Sequence, residues 1–249
     1  MGTMQVGLQL YTVRDELARD YAGTIRRVGE IGYTAVEMAG YGGMAAPQLK
    51  ALLDESGLRA ASTHVGLTAL QENLDAEIEY SLAIGCAYLV LPSLPQDLRN
   101  AAALRELAPR LTQIGRRCKE YGLAFAYHDH DWEFGTAEGH YLLDILLDHS
   151  DPGAVSLELD LYWAAFAGAD PVAYLQRRAD RVRLLHLKDL GADRRYTEVG
   201  EGSLDFAAIF AAADQAGVPW GIVELDNPTG PSLESARLSL QNLRRMGRV

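Results

Sequence analysis

The chain has 249 residues, 48% of them hydrophobic, enough for one large core and close to the length of one (β/α) barrel. Its 23 Lys and Arg stand against 34 Asp and Glu, and this formal charge of −11 repels phosphate backbones and anionic membranes, so neither nucleic acid nor membrane is expected as a partner. With no basic-then-apolar leader, no run near about 18 apolar residues, and only Cys86 and Cys118 as thiols in apolar or helical surroundings, a soluble cytoplasmic protein with reduced cysteines is expected.

In chain order, Met4–Leu10 reads as a strand ending at Tyr11, and Arg14–Ile31 places Leu17, Tyr21, Ile25, Val28 and Ile31 at helical spacing. Gly32 closes that helix, residues 35–38 form a second strand containing Glu37, and Pro47 opens a helix that Gly57 ends. The pattern repeats: strand Leu58–His64, helix Gln71–Ile84, strand Tyr88–Leu91, helix Leu104–Tyr121, strand Leu123–His128. Then come a helix at Tyr141–Leu147, strand Val155–Asp160, helix Pro171–Arg178, strand Val182–Leu187, helix Phe206–Ala216, strand Trp220–Glu224 and a closing helix Leu233–Leu243. Eight strands alternating with helices over this length predict an α/β fold, a closed parallel (β/α)8 barrel, as one domain spanning residues 1–249. The rival open doubly wound sheet lacks its glycine-rich signature after the first strand, where Leu10-Tyr11-Thr12-Val13-Arg14 stands.

Such a barrel performs its chemistry at the carboxyl ends of its strands. The fifth strand empties into Tyr127-His128-Asp129-His130-Asp131-Trp132-Glu133-Phe134, and period-two alternation points His128 and His130 to one side. His64 ends the third strand, Asp160 the sixth and Glu224 the eighth, while the seventh brings His186 and Lys188. Imidazole plus carboxylate is the donor set of Mn²⁺, Mg²⁺, Co²⁺ or Zn²⁺, which makes His128, Asp160, His186 and Glu224 the candidate ligands. Glu37 and Lys188, taken singly, also read as ordinary polar exits from strands. Glu158 shares a face with Asp160 but lies deeper, where a carboxyl must be paired or meet a water. Tyr11, Trp132 and Trp163 offer flat apolar faces that either receive the C–H face of a sugar or pack at the rim.

The ordered stretches YHDHDWEF (127–134), LELDLYWA (157–164), LLHLKD (184–189), VGEGSLDF (199–206) and GIVELD (221–226) resemble the sugar phosphate isomerase/epimerase family with its xylose isomerase-like barrel, across essentially the whole chain. The resemblance implies a small carbohydrate substrate and a divalent metal on Asp160, His186 and Glu224. The remaining ligand, a strand-five glutamate in the epimerases, falls at His128, or at Tyr127 in a register one residue earlier. Members include ketose 3-epimerases, isomerases, inosose and 3-dehydroshikimate dehydratases, 3-keto-glycoside lyases and, distantly, an endonuclease that the acidic charge disfavours.

The resulting expectation is a metal-dependent isomerase or epimerase that removes a proton next to the carbonyl of a small keto sugar or polyol. Glu224 or Glu133 acts as base, Lys188 supplies positive charge, and Tyr11, Glu37, His64, His130, Trp132 and Trp163 hold substrate. A lyase or dehydratase shares the first step, and a non-catalytic sugar-binding barrel is the alternative raised by His128; an oligomer is compatible with all three.

Overall fold

A computed structural model describes residues 4–228 and 230–249. Eight parallel strands close into a barrel: β1 (Gln5–Gln9), β2 (Ala35–Met38), β3 (Arg59–His64), β4 (Tyr88–Leu91), β5 (Ala124–His128), β6 (Ser156–Asp160), β7 (Val182–Leu187) and β8 (Trp220–Val223), with β8 pairing back onto β1. Each strand buries both faces, which is why these segments read as apolar runs rather than alternating ones. Outward side chains such as Leu8, Leu89, Phe125, Leu157 and Leu185 join the helices in the main core. Inward, Ala35, Ala61, Val90, Ala126, Leu184, Trp220 and Ile222 form a separate dry plug. That plug fills the barrel below the strand ends, so the polar side chains cluster above it at the mouth.

Several elements differ from the sequence expectation, each for a local reason. The stretch after β1 makes a 3-10 turn at Leu10–Val13 and a short helix Arg14–Leu17; a new helix Tyr21–Ile31 then starts where the Asp20 carboxylate accepts the Gly23 N–H. The expected helix 71–84 breaks at Asn73 into Leu67–Glu72 and Leu74–Ala83. A short helix Leu161–Phe166, not expected, begins directly after β6 because Asp160 Oδ1 accepts the Trp163 N–H at 2.9 Å. Two small hairpins, Thr136–Ala137 with His140–Tyr141 and Asp189–Leu190 with Tyr196–Thr197, also stand at the mouth side of their strands.

The VGEGSLDF stretch is explained by Asp189. Its carboxylate accepts the N–H groups of Leu190, Gly200, Gly202 and Leu204 at 2.8–3.0 Å, folding the loop 190–204 back onto the end of β7. A Cβ at Gly202 would collide with that carboxylate, so the close approach requires glycine.

Candidate active site at the barrel mouth

Register sets the polar layers. Gln9 lies opposite Glu37, His128 opposite Glu158, and Asp160 opposite His186. Register shifts fall at Val36/Glu37 and at Leu157/Glu158, the kind of irregularity that re-aims a side chain next to a functional site. A cavity of about 430 Å³ opens at the mouth, lined by Tyr11, His64, His128, His130, Glu224 and Asp226 together with Ala39, Pro92 and Ser93. Larger hollows of about 510 and 580 Å³ contain no histidine, whereas the mouth cavity carries three.

The upper layer is built around Lys188. Its Nζ lies 2.6 Å from Glu224 Oε2, 2.9 Å from Asp160 Oδ2 and 2.9 Å from Asp226 Oδ2, and only 1% of the residue is exposed. His186 Nδ1 is 2.8 Å from the same Glu224 oxygen and 3.8 Å from Asp160 Oδ2. Burial alone would raise the Glu224 carboxyl, but Lys188 and His186 outweigh it and hold it well below its ordinary value. Burial likewise opposes the ammonium, while Asp160, Glu224 and Asp226 keep Lys188 firmly protonated. For Asp160 burial prevails over Lys188 and His186, and its carboxyl is raised.

The lower layer holds two fully buried carboxyl groups under the rings. Glu37 Oε1 accepts from Gln9 Nε2 at 2.6 Å and lies 2.8 Å from His186 Nε2 and 3.0 Å from His64 Nε2. Glu158 Oε2 lies 2.9 Å from His64 Nε2 and 3.2 Å from both His128 Nδ1 and His186 Nε2. Burial opposes charge on His64 and His186. The surrounding carboxylates override it, pushing His64 up to about 10 and His186 well above its usual value. His128 goes the other way: burial and the neighbouring rings hold it neutral. His130, depressed by burial and by Lys188 to about 3, is a second neutral imidazole.

Two residues with expected roles lie in sealed positions. Glu37 was expected to touch substrate, but it lies beneath the histidines with no exposed surface and holds His186 and His64 from below. Glu133 was expected as an acid or base at the mouth, yet its carboxyl is sealed: Tyr127 O–H donates to Oε1 at 2.6 Å and the His130 N–H to Oε2 at 2.9 Å. Burial pushes it up to about 8 even though Tyr127 and the His130 N–H work against that rise. Lys188 sits one layer in from the cavity and acts on it through Glu224, Asp160 and Asp226.

Tyr11 stands at the rim under the Arg14 guanidinium, 4.1 Å from its ring centre. Trp163 packs against His130 with ring centres 5.7 Å apart, and Trp132 packs under Arg99. The indole N–H groups of both tryptophans are buried without a partner. Gln9, Asp129 and Asp226 were not singled out from the sequence. Gln9 had a signal, an amide set between Leu8 and Leu10 at the end of an apolar strand. Asp129, which accepts the Asp160 N–H at 3.1 Å, had none beyond its place between two histidines.

The donors at the mouth fit a divalent ion. His128, Asp160, His186 and Glu224 each offer one atom, all within 4.8 Å of one another, a mixed imidazole and carboxylate set. A second set, His64, His128, Glu158 and His186, shares two of these rings.

Parallel β/α closure with imidazoles and carboxylates at the carboxyl ends of its strands defines an enzyme-like barrel. The sequence profile of the xylose isomerase-like TIM barrel family matches residues 25–246, and the chain belongs to that family. An inosose dehydratase of Geobacillus kaustophilus is 30% identical over 229 residues, covering 75% of this chain and 73% of that protein. The rhizopine catabolism protein MocC of Rhizobium meliloti is 26% identical, covering 87% of this chain and 78% of its own length. A sugar phosphate isomerase/epimerase structure from Parabacteroides distasonis, 26% identical, superimposes with a TM-score of 0.85 over 100% of this chain and 96% of that one. No helix of the described residues is long and apolar enough to cross a membrane.

Proposed function

We propose that the chain removes a proton next to the carbonyl of a small polyhydroxylated keto compound and then expels a β-hydroxyl as water, the dehydratase outcome within this family. The observation that carries the reading is that Glu224 and Asp226 line the cavity from the end of β8 alone, while the position across from Glu224 on β5 is a neutral imidazole, His128. Epimerisation by two opposed carboxylates requires a second carboxylate there. A syn elimination requires one: Glu224 takes the proton from carbon and returns it to the departing hydroxyl, so protons balance and water leaves.

His128, Asp160, His186 and Glu224 would hold Mn²⁺, Mg²⁺, Co²⁺ or Zn²⁺, which when bound supplies Lewis-acid polarisation of the substrate carbonyl. Lys188 keeps Glu224 ionised between turnovers through their 2.6 Å contact. His130 presents its ring to hydroxyl groups from the cavity wall, His64 lines the same wall, and Tyr11 offers its ring at the rim. The similarity to an inosose dehydratase makes a cyclic polyhydroxy ketone the first substrate class to try.

The test is incubation with inososes and keto sugars in deuterated water with Mn²⁺. Dehydration releases an unsaturated ketone with ultraviolet absorbance, and Glu224→Gln lowers turnover by about 10²-fold or more. Deuterium incorporated without loss of water instead establishes the isomerase or epimerase outcome, the reading favoured by the similarity to the isomerase/epimerase structure. Binding with neither exchange nor water loss establishes a binding barrel.

A further inference from the structure

Glu158 has no part in the chemistry above, yet its Oε2 atom faces ring nitrogens of three histidines from three different strands: His64 Nε2, His128 Nδ1 and His186 Nε2. All four residues could be taken for a second cation site, but the hydrogen bonds around them close it. Gln9 is fixed in orientation, because its Oε1 accepts the Tyr11 N–H at 2.9 Å and its Nε2 donates to Glu37. That same Nε2 lies 3.2 Å from His64 Nδ1 and directs an N–H at it. His64 therefore carries a proton on Nε2 whether its ring is neutral or charged, and that nitrogen is a donor to Glu158. On His186, Nε2 has two carboxyl acceptors beneath it, Glu37 and Glu158, while Nδ1 faces Glu224 and Asp160.

We propose that Glu158 is a positioning residue that selects the tautomers of the rings above it: proton on Nε2 of His64 and His186, and on Nδ1 of His128. The free lone pairs are then Nε2 of His128 and, once a ligand takes it, Nδ1 of His186. A metal-bound imidazole ordinarily donates its other N–H to a carboxylate or carbonyl, which fixes both ring angle and basicity. Here one carboxyl serves both candidate ring ligands and ties them to the substrate-side His64. The register shift at Leu157/Glu158 is the backbone's part of the arrangement, since it turns Glu158 under the rings while leaving Asp160 two residues on at the mouth. The inference rests on the reading of His128 and His186 as ligands.

The experiment uses metal-free protein labelled with ¹⁵N histidine, whose long-range proton–nitrogen correlations report which ring nitrogen is protonated. The expected pattern has His128 protonated at Nδ1 and His64 and His186 protonated at Nε2. Glu158→Leu removes the Oε2 acceptor that all three rings face, so His128 should change tautomer and the Mn²⁺ dissociation constant should rise about 10–100-fold. Wild-type His128 protonated at Nε2 overturns the proposal without need of any variant, as does a folded Glu158→Leu that keeps wild-type tautomers and Mn²⁺ affinity. Wild-type protein that shows the expected tautomers but binds no Mn²⁺ removes the cation from the proposed function and leaves the assignment of Glu158 supported.

Discussion

Replacing Lys188 with Met keeps the length of the side chain and removes its charge. In the protein that charge lies within 2.9 Å of Asp160, Glu224 and Asp226. Asp160 is 0% and Glu224 4% exposed, so the variant leaves buried carboxylates without their ammonium. Breaking a buried pair in this way costs about 3–5 kcal/mol. At about 2–4 °C per kcal/mol for a chain of this size, the melting temperature should fall by about 6–20 °C at neutral pH. The pH dependence has a definite sign. The folded-state pKa of Glu224 is depressed from 4.5, so its contribution to stability is present above the unfolded value and lost as pH falls through the folded one. Lys188 is a main cause of that depression, so the gap between wild type and Lys188→Met should be widest near pH 7 and shrink below pH 4.5, where protonated carboxyl groups no longer need the ammonium. Mn²⁺ should recover more stability in the variant than in wild type, because it supplies the missing positive charge. Urea unfolding across pH 3–8 measures all of this. A loss under about 1 kcal/mol at pH 7, or a gap that persists unchanged in acid, would refute the buried-charge argument.

Asp160→Asn and His186→Ala should weaken Mn²⁺ binding in titration calorimetry by about 10-fold or more; unchanged affinity in both removes them as ligands. Glu133→Gln should keep turnover, since the side chain is sealed behind Tyr127 and His130. Because the Glu133 pKa is raised to about 8, ionising it destabilises the wild type as pH climbs through that value, so Glu133→Gln should gain stability relative to wild type at pH 9; loss of turnover instead would place the base on the β5 side. Asp189→Ala removes the acceptor of four backbone N–H groups and should cost about 2–4 kcal/mol, with faster hydrogen exchange confined to residues 190–204. Unchanged protection there would mean the loop is held by other contacts.

The sequence by itself determined the alternation of eight strands and helices, because apolar runs closed by glycines such as Gly32 and Gly217 are local signals. Both glycines adopt left-handed backbone where their helices end. It also determined which residues fall at the carboxyl ends of strands, since position along a strand is a property of sequence order. It did not determine depth. Period-two alternation assigns Glu37 and Glu224 alike to the inside of the barrel, but the stagger between strands puts one under His186 and the other beside the cavity. Nor could it pair charges: Lys188 with Glu224, His186 with Glu37 and Glu158 with three histidines are partners from separate strands, 36 to 149 residues apart in the case of the first two. Those pairings fix which imidazoles are charged and which neutral, and they arise only when the barrel closes and brings strands from both halves of the chain around one buried volume.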